Sequence, residues 1–489
     1  MQIRTPRGQR PSRQARSHGQ ALIWMLGTMA ASAAVLYAVF NTSQLLVGKQ
    51  RTVNAADAAA IAGATVEARL LNLVAYNNRS IMANEAFLIQ MISLESWLQY
   101  LRRTADNMGY VVDVLSVFVP PVAAVAKFLH QSASVAEKVH GQLVNVDNNA
   151  VLPALKVLKE SAAVAHKAVL AAGGALAENA AIGVVNQNRA AFKTHADAGM
   201  TMENSVPVRA LTLGLNITAF SNFTSQYKAG DRGDAANVLL ASRDDFSASR
   251  PGRGWMNADF GLVGTEKNGG SQLHNFERWE TQDTLEIWEK YPCKKDGPWC
   301  KDHQPIGWGR SNADKNGSTA GTKWSPGRSA QSLARSDATK HSNWSGVPEL
   351  YDIAPKLKKA PKTDPLGLDF TVVVRRPQAN TTTSESLAMG VATDAATGSS
   401  EMPQRLNDNQ LTAIARARVS FERPRRGLLN DITGSSLWRS DNAKEYGSLY
   451  SPYWQARLTD MTLKQKAALL MAMGMIIPDE ALYTPGGQK

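Results

Sequence analysis

The sequence predicts an α+β protein: a single N-terminal transmembrane helix continuing into a long helical stalk or bundle, followed by a mixed, β-containing C-terminal head. Three observations predict it. An uncharged run of twenty residues, Ala21 to Phe40, follows a basic leader. A proline-free stretch with a seven-residue apolar repeat comes next. Short segments of alternating apolar and basic residues lie late in the chain.

The leader carries Arg4, Arg7, Arg10, Arg13 and Arg16, and the first acidic residue of the chain is Asp57. Twenty residues at the helical rise span about 30 Å, the thickness of a bilayer's hydrocarbon core. Arginines on one flank hold that flank in the cytoplasm. The expected topology is one crossing: residues 1–20 a cytoplasmic tail, 21–47 the transmembrane helix, and the rest outside. Ala31-Ser32-Ala33 has the spacing of a signal-peptidase site, but the apolar run continues past it, as in an anchor. The rest of the composition is consistent with this. Two cysteines exclude a disulfide-built scaffold, and a mean hydropathy of −0.26 excludes a polytopic transporter. The net charge of +12 calls for an anionic neighbour, and its densest segment sits where lipid headgroups account for it. No nucleic-acid motif follows, so no nucleic-acid partner is expected.

Between Pro11 and Pro120 there is no proline. Gly63, Leu70, Asn77, Asn84, Met91 and Leu98 fall on one heptad line, and Val66, Leu73, Ser80, Phe87, Leu94 and Leu101 on a second. This is the pattern of a helix with a narrow packing seam. One helix is expected from the membrane to about Asn107, with Gly27, Gly48 and Gly63 as weak points and Arg79 and Arg102 toward solvent. Asn77, Ser80 and Asn84 form a polar layer in the seam, read as a register setter or as a docking point for a partner helix. Tyr110–Phe128 is apolar, but Asp113, Lys127 and Pro120-Pro121 argue against a second span. Ala/Val-rich segments 132–143, 152–172 and 176–196 are expected to fold back on the long helix as a bundle, completing a stalk over 48–199.

From about residue 200 the composition changes. Residues 200–345 are rich in tryptophan and glycine, with Gly309–Gly346 expected as a loop or linker. Strands are expected at Leu368–Arg375, Ile414–Phe421 and Tyr453–Leu458, half exposed with their basic residues outward, and a closing helix at Leu463–Met475. These belong to a head over 346–489.

Little in the chain points to chemistry. Cys293 and Cys300 bracket a six-residue loop, the spacing of a disulfide outside the cytoplasm; zinc held with His303 would lack a fourth ligand. Asp245, Ser247 and Ser249 fit a D-x-S-x-S cation motif, but no buried strand precedes it, and a charged turn is the simpler reading. His140, His166 and His195 are scattered in helical stretches. No catalytic residues, no cofactor and no metal are assigned, and no enzyme is expected. The tryptophan cluster admits a sugar-stacking role, with peptidoglycan as the partner, beside the plainer role of core filling.

The amino end resembles the TadE/TadG-like proteins of the tight-adherence (Flp-type) pilus assembly system. The resemblance rests on GQALIWMLGTMA, the span after it, and above all VNAADAAAIAGA (Val53–Ala64). LLNLVAYNNRSIMANEAF and the late ARARVSFERP and YSPYWQARL strings resemble a TadG-related branch. The resemblance implies an inner-membrane anchor with the bulk of the chain in the periplasm. It also implies other pilus-assembly proteins as partners, beside the lipid bilayer and, through the heptad seam, a second copy. Gly19 resembles a prepilin cleavage glycine, but Trp24 stands where prepilins carry glutamate, so a scaffold or minor pseudopilin-like part fits better than a filament subunit. The alternative is an anchored module that binds the cell wall.

Overall fold

A computed structural model describes residues 18–191, 200–202, 206–225, 227, 232–293, 299–314, 328–348, 367–377, 410–422 and 447–472. The five leader arginines and the polar stretch 378–409 lie outside the described residues, as does His195. The fold is α+β, with long helices first and two β-sheets in the carboxyl-terminal part.

Helix α1 (His18–Ser116) is unbroken for 99 residues, about 150 Å at the helical rise. It passes through Gly27, Gly48 and Gly63 without interruption and ends nine residues beyond Asn107. A turn with Pro120-Pro121 reverses the chain into α2 (Ala123–Val146) and α3 (Leu152–Ala191). The two are a single returning helix carrying one π-helical turn, Asp147–Val151. Pro153 lies just past that turn; its ring and missing N–H disturb the ladder one turn earlier, where the π turn lies. The bundle expected from sequence is therefore an antiparallel hairpin of α1 with α2–α3. Its contacts step down in register: Arg102 pairs with Glu137 at 3.1 Å, Glu85 with Lys159, and Leu70 lies against Gly173. Both arms are long and apolar enough to cross a membrane, over Ala21–Ser116 and Pro120–Asn188.

Sheet A has the order β1-β6-β7-β8, with β1 (Thr201–Met202), β6 (Leu368–Pro377), β7 (Gln410–Phe421) and β8 (Trp454–Leu458), all antiparallel. Sheet B has the order β2-β3-β4-β5, with β2 (Val263–His274), β3 (Arg278–Pro292), β4 (Trp299–Asp314) and β5 (Thr339–His341); only β4–β5 is parallel. Around them lie α4 (Val206–Ser225), α5 (Gly233–Ala241), α6 (Asp245–Ala248), α7 (Arg328–Ser336) and α8 (Leu463–Ala472).

The β part follows the helices in sequence but not in space. Both sheets lie along α1, sheet A over its Ala-rich stretch and sheet B further on. One core joins Ala55 through Val74 of α1 to Ala177, Ala181 and Val185 of α3 and to the inner face of sheet A. A second joins Ile81 through Ile92 of α1 to Leu152 and Leu155, Leu239, Trp279 and Trp344.

Two sequence expectations change here. Strand β7 does alternate, with Ala415, Ala417 and Val419 in the first core, but on its basic face only Arg418 is half-buried, and Arg416 is buried. Arg416 and Arg418 pair with Asp369 at 3.2 and 2.6 Å, and Arg416 also donates to Gln465 at 2.7 Å beneath α8. The same face of the sheet packs Val373 and Ile414 on Val208 of α4 and Leu469 of α8. The supposed linker 309–346 holds the end of β4, α7 and β5; only 315–327 of it lies outside the described residues.

Candidate functional site

The candidate site is α1 itself, because everything else is organised around it. Over 21–47 its side chains, among them Leu22, Trp24, Met25 and Leu36, are exposed, with only partial cover at a few positions. Burial begins at Gly48 and Thr52 and continues to Tyr100 as a repeating stripe. The same helix thus changes at one point from a bare apolar rod to a clad spine.

The cladding depends on small residues. Ala55, Ala56, Ala59, Ala60 and Ala64 are buried, and they leave a flat helix face on which sheet A lies directly. At Gly63 the approach is close: a β-carbon there would stand 2.1 Å from Cε1 of Phe370 in β6, so only glycine leaves room for the ring. Sheet B reverses the arrangement, the small residues being on the strand. A β-carbon on Gly309 of β4 would lie 2.0 Å from the Ser96 carbonyl oxygen. There the contacts are polar: the Ser96 hydroxyl donates to Asp283 at 2.8 Å, Arg310 N–H donates to the Gln99 side chain at 3.0 Å, and Asn107 donates to the Ile306 carbonyl at 2.7 Å.

The two heptad lines are only partly inside. Gly63 and Leu98 are buried; Val66, Leu70, Asn77, Asn84, Met91, Leu94 and Leu101 are half-buried; Leu73, Ser80 and Phe87 are exposed, Leu73 and Phe87 to 45% and 46%. The fully covered line runs one residue later, through Ala64, Glu67, Leu71, Val74, Asn78, Ile81, Glu85, Leu88, Ile92 and Glu95. Sequence reasoning missed it because three glutamates and an asparagine occupy it. Their partners explain their presence for two: Glu85 accepts from Trp344 Nε1 at 2.8 Å and pairs with Lys159, and Asn78 donates to the Leu449 carbonyl at 2.9 Å. Asn84 instead bonds the Ser80 carbonyl of its own helix at 2.9 Å. Arg79, expected at the surface, donates to the Tyr450 carbonyl at 2.6 Å and lies over the Tyr450 ring.

Elsewhere the predicted chemistry resolves into structure. Cys293 and Cys300 form a disulfide at the turn end of the β3–β4 hairpin, with Cα atoms 5.5 Å apart. His303 points to Glu286, its Nδ1 3.0 Å from Oε2, and not to the sulfurs. Asp245, Ser247 and Ser249 lie in and just after the single turn α6, capped by Asp244, whose Oδ1 accepts from Ser247 N–H at 3.1 Å. His140 lies between Gln99 and Thr339, at 3.2 and 3.3 Å, and His166 is buried. Of the tryptophans, Trp279, Trp288 and Trp344 are buried, whereas Trp255 and Trp299 are exposed to 57% and 51%.

Residues 19–66 match the family model described as putative Flp pilus-assembly TadE/G-like, so the amino-terminal segment is similar to that family. The match spans the bare rod and the alanine face up to the Phe370 socket. Neither a curated protein nor a solved structure matches the chain.

Proposed function

We propose that this protein is a single-pass, inner-membrane-anchored scaffold of a Tad/Flp-type pilus assembly system, with residues 1–20 cytoplasmic, 21–47 in the bilayer and the remainder in the periplasm. The observation that carries the reading is the change of α1 from bare to clad at Gly48, inside the segment that matches the pilus-assembly family. A bare apolar helix needs lipid, whereas a clad one can stand in water. Because α1 is continuous through that point, a force or position fixed in the membrane is transmitted along a rod and not through a flexible joint. This role needs a surface and a length and assigns no reaction. Other pilus-assembly proteins are its partners. The exposed half of the heptad pattern, Leu73, Ser80 and Phe87 with Tyr76 beside it, suits packing against the like helix of a second copy.

Topology tests the reading first. Both native cysteines are in the disulfide, so an introduced cysteine is a unique label. In spheroplasts, Ser342→Cys should react with an impermeant maleimide and Ser12→Cys only after lysis. The opposite pattern, or release of the chain by a salt wash, would remove the proposal.

A second reading, an anchored wall-binding module, draws on the exposed indoles of Trp255 and Trp299. Co-sedimentation with peptidoglycan that is lost in the Trp255→Ala and Trp299→Ala variants would favour it.

A further inference from the structure

Three side chains from separate elements meet beneath sheet B: Glu95 of α1, Asp147 of the π-helical turn and His341 of β5. All three are fully buried, and one ligand atom of each lies within 4.8 Å of the other two. His341 Nε2 stands 2.7 Å from Glu95 Oε2, and Nδ1 stands 2.9 Å from Asn148 Oδ1. Glu95 Oε2 also accepts from the Ser311 hydroxyl at 2.5 Å. Glu95 Oε1 and both oxygens of Asp147 have no hydrogen-bond donor among the described residues, and the Asp147 carboxyl faces that of Glu95 closely enough to share a proton with it.

We infer that this cluster is a binding site for one divalent transition-metal ion, zinc in the first instance. Two buried carboxylates facing one imidazole are short of positive charge, and three unpartnered carboxylate oxygens in a dry interior are costly unless something supplies it. The donor set is one nitrogen and carboxylate oxygens. That suits zinc, which takes His, Asp and Glu together, better than calcium or magnesium, which take oxygen donors throughout. With Asn148 Oδ1 accepting from Nδ1–H, Nε2, which faces Glu95, would be the nitrogen that binds the ion; such a partner on the other nitrogen is the usual outer support of a metal-bound histidine. The π turn contributes directly, since its first two residues, Asp147 and Asn148, both face His341.

The ion would tie the spine, the returning helix and the short edge strand β5 at one point. Strand β5 has only three residues, paired with Ser311 to Ala313 of β4, so a metal bond to His341 is a large fraction of what holds it. The site is independent of the pilus reading, because it rests on the interior of the fold and not on topology.

Full-length protein in detergent, stripped with EDTA and desalted, is titrated with zinc chloride. One zinc per chain should remain after desalting, by elemental analysis, and the thermal midpoint should rise. Asp147→Asn preserves size and hydrogen-bonding shape, and should weaken zinc binding at least ~100-fold while the metal-free protein unfolds at or above the wild-type temperature. Cobalt should give the visible absorption of a low-coordinate nitrogen–oxygen site in wild type and not in Asp147→Asn. His303→Gln, at the separate His303–Glu286 pair, should bind normally. Absence of stoichiometric zinc in wild type, or equal binding by Asp147→Asn, overturns the assignment and leaves a proton-sharing network in its place.

Discussion

Asn72 on α1 and Trp454 on β8 exchange two hydrogen bonds: the Asn72 amide donates to the Trp454 carbonyl and accepts from the Trp454 N–H, each at 3.0 Å. The side chain completes the ladder as a one-residue strand would. On the same sheet Asn216 of α4 does this for Thr371 of β6, with both bonds at 2.9 Å. Helix side chains therefore satisfy backbone groups of sheet A that strand pairing does not.

The consequence is measurable. Replacing Asn72 by leucine leaves a carbonyl and an N–H without partners at the helix–sheet contact, which should cost about 2–3 kcal/mol. The loss should be local, since Asn78 and Arg79 still hold 449–450. Hydrogen exchange should speed at Trp454 and its neighbours while the amides of β3 are unchanged; uniform acceleration would mean that the bond pair acts globally.

A second prediction concerns the Phe370 socket. Gly63→Ala puts a methyl group into the ring and should destabilise by about 1–3 kcal/mol, the range for overpacking a closed core, with the helix propensity of alanine offsetting part of it. Phe370→Leu should recover part of that loss in the double variant. Additive effects in chemical denaturation would mean that residue 63 and the ring do not meet.

Glu67 gives the fold a pH dependence. It is buried with both oxygens unpartnered among the described residues, and burial, aided by the charge of Asp369, pushes its carboxyl up to about 9. The folded chain therefore keeps this proton over a range where the unfolded chain loses it. Below about pH 4.5 both states are protonated, and the contribution to stability is complete. As pH rises toward 9 it falls by about 1.4 kcal/mol per unit, until the folded group ionises as well. Glu67→Gln should flatten this slope and unfold several degrees higher than wild type at pH 8. A wild-type midpoint that does not fall between pH 6 and 8 relative to the variant would show that the carboxyl is ionised.

How far these relationships were legible depended on the kind of interior. The long helix and sheet A could be read because their patterning is apolar: α1 runs without proline through the apolar stretch Ala21–Phe40, and Ala415, Ala417 and Val419 alternate in β7. Sheet B could not. Its central strand reads Trp279-Glu280-Thr281-Gln282-Asp283-Thr284-Leu285-Glu286, which by composition is a surface segment, yet all eight are buried. Their interior is made of ion pairs and hydrogen bonds to α1, and pairing between distant charges leaves no periodic mark. The fully covered line of α1 was not legible for the same reason: Glu67, Glu85 and Glu95 are inside, while Leu73 and Phe87 are out. The metal cluster combines three elements, and no spacing rule joins Glu95, Asp147 and His341.

The buried charges of sheet B yield the last prediction. Asp283 is fully buried and accepts two bonds from Arg250, at 2.8 Å each, and one from Ser96; Lys267 lies 3.5 Å away. The pattern is asymmetric, one anion against two cations. Removing the anion with Asp283→Leu strands both cations and should cost about 3–5 kcal/mol, the range for breaking a buried pair. Arg250→Met leaves Asp283 bonded to Ser96 and close to Lys267, so it should cost clearly less. Because the pair is shielded from solvent, raising the salt from 0.1 to 1 M should change the difference between the two variants little. Equal losses in denaturant titrations would mean that Lys267 does not share the charge, and a difference that vanishes in high salt would mean that water reaches the pair.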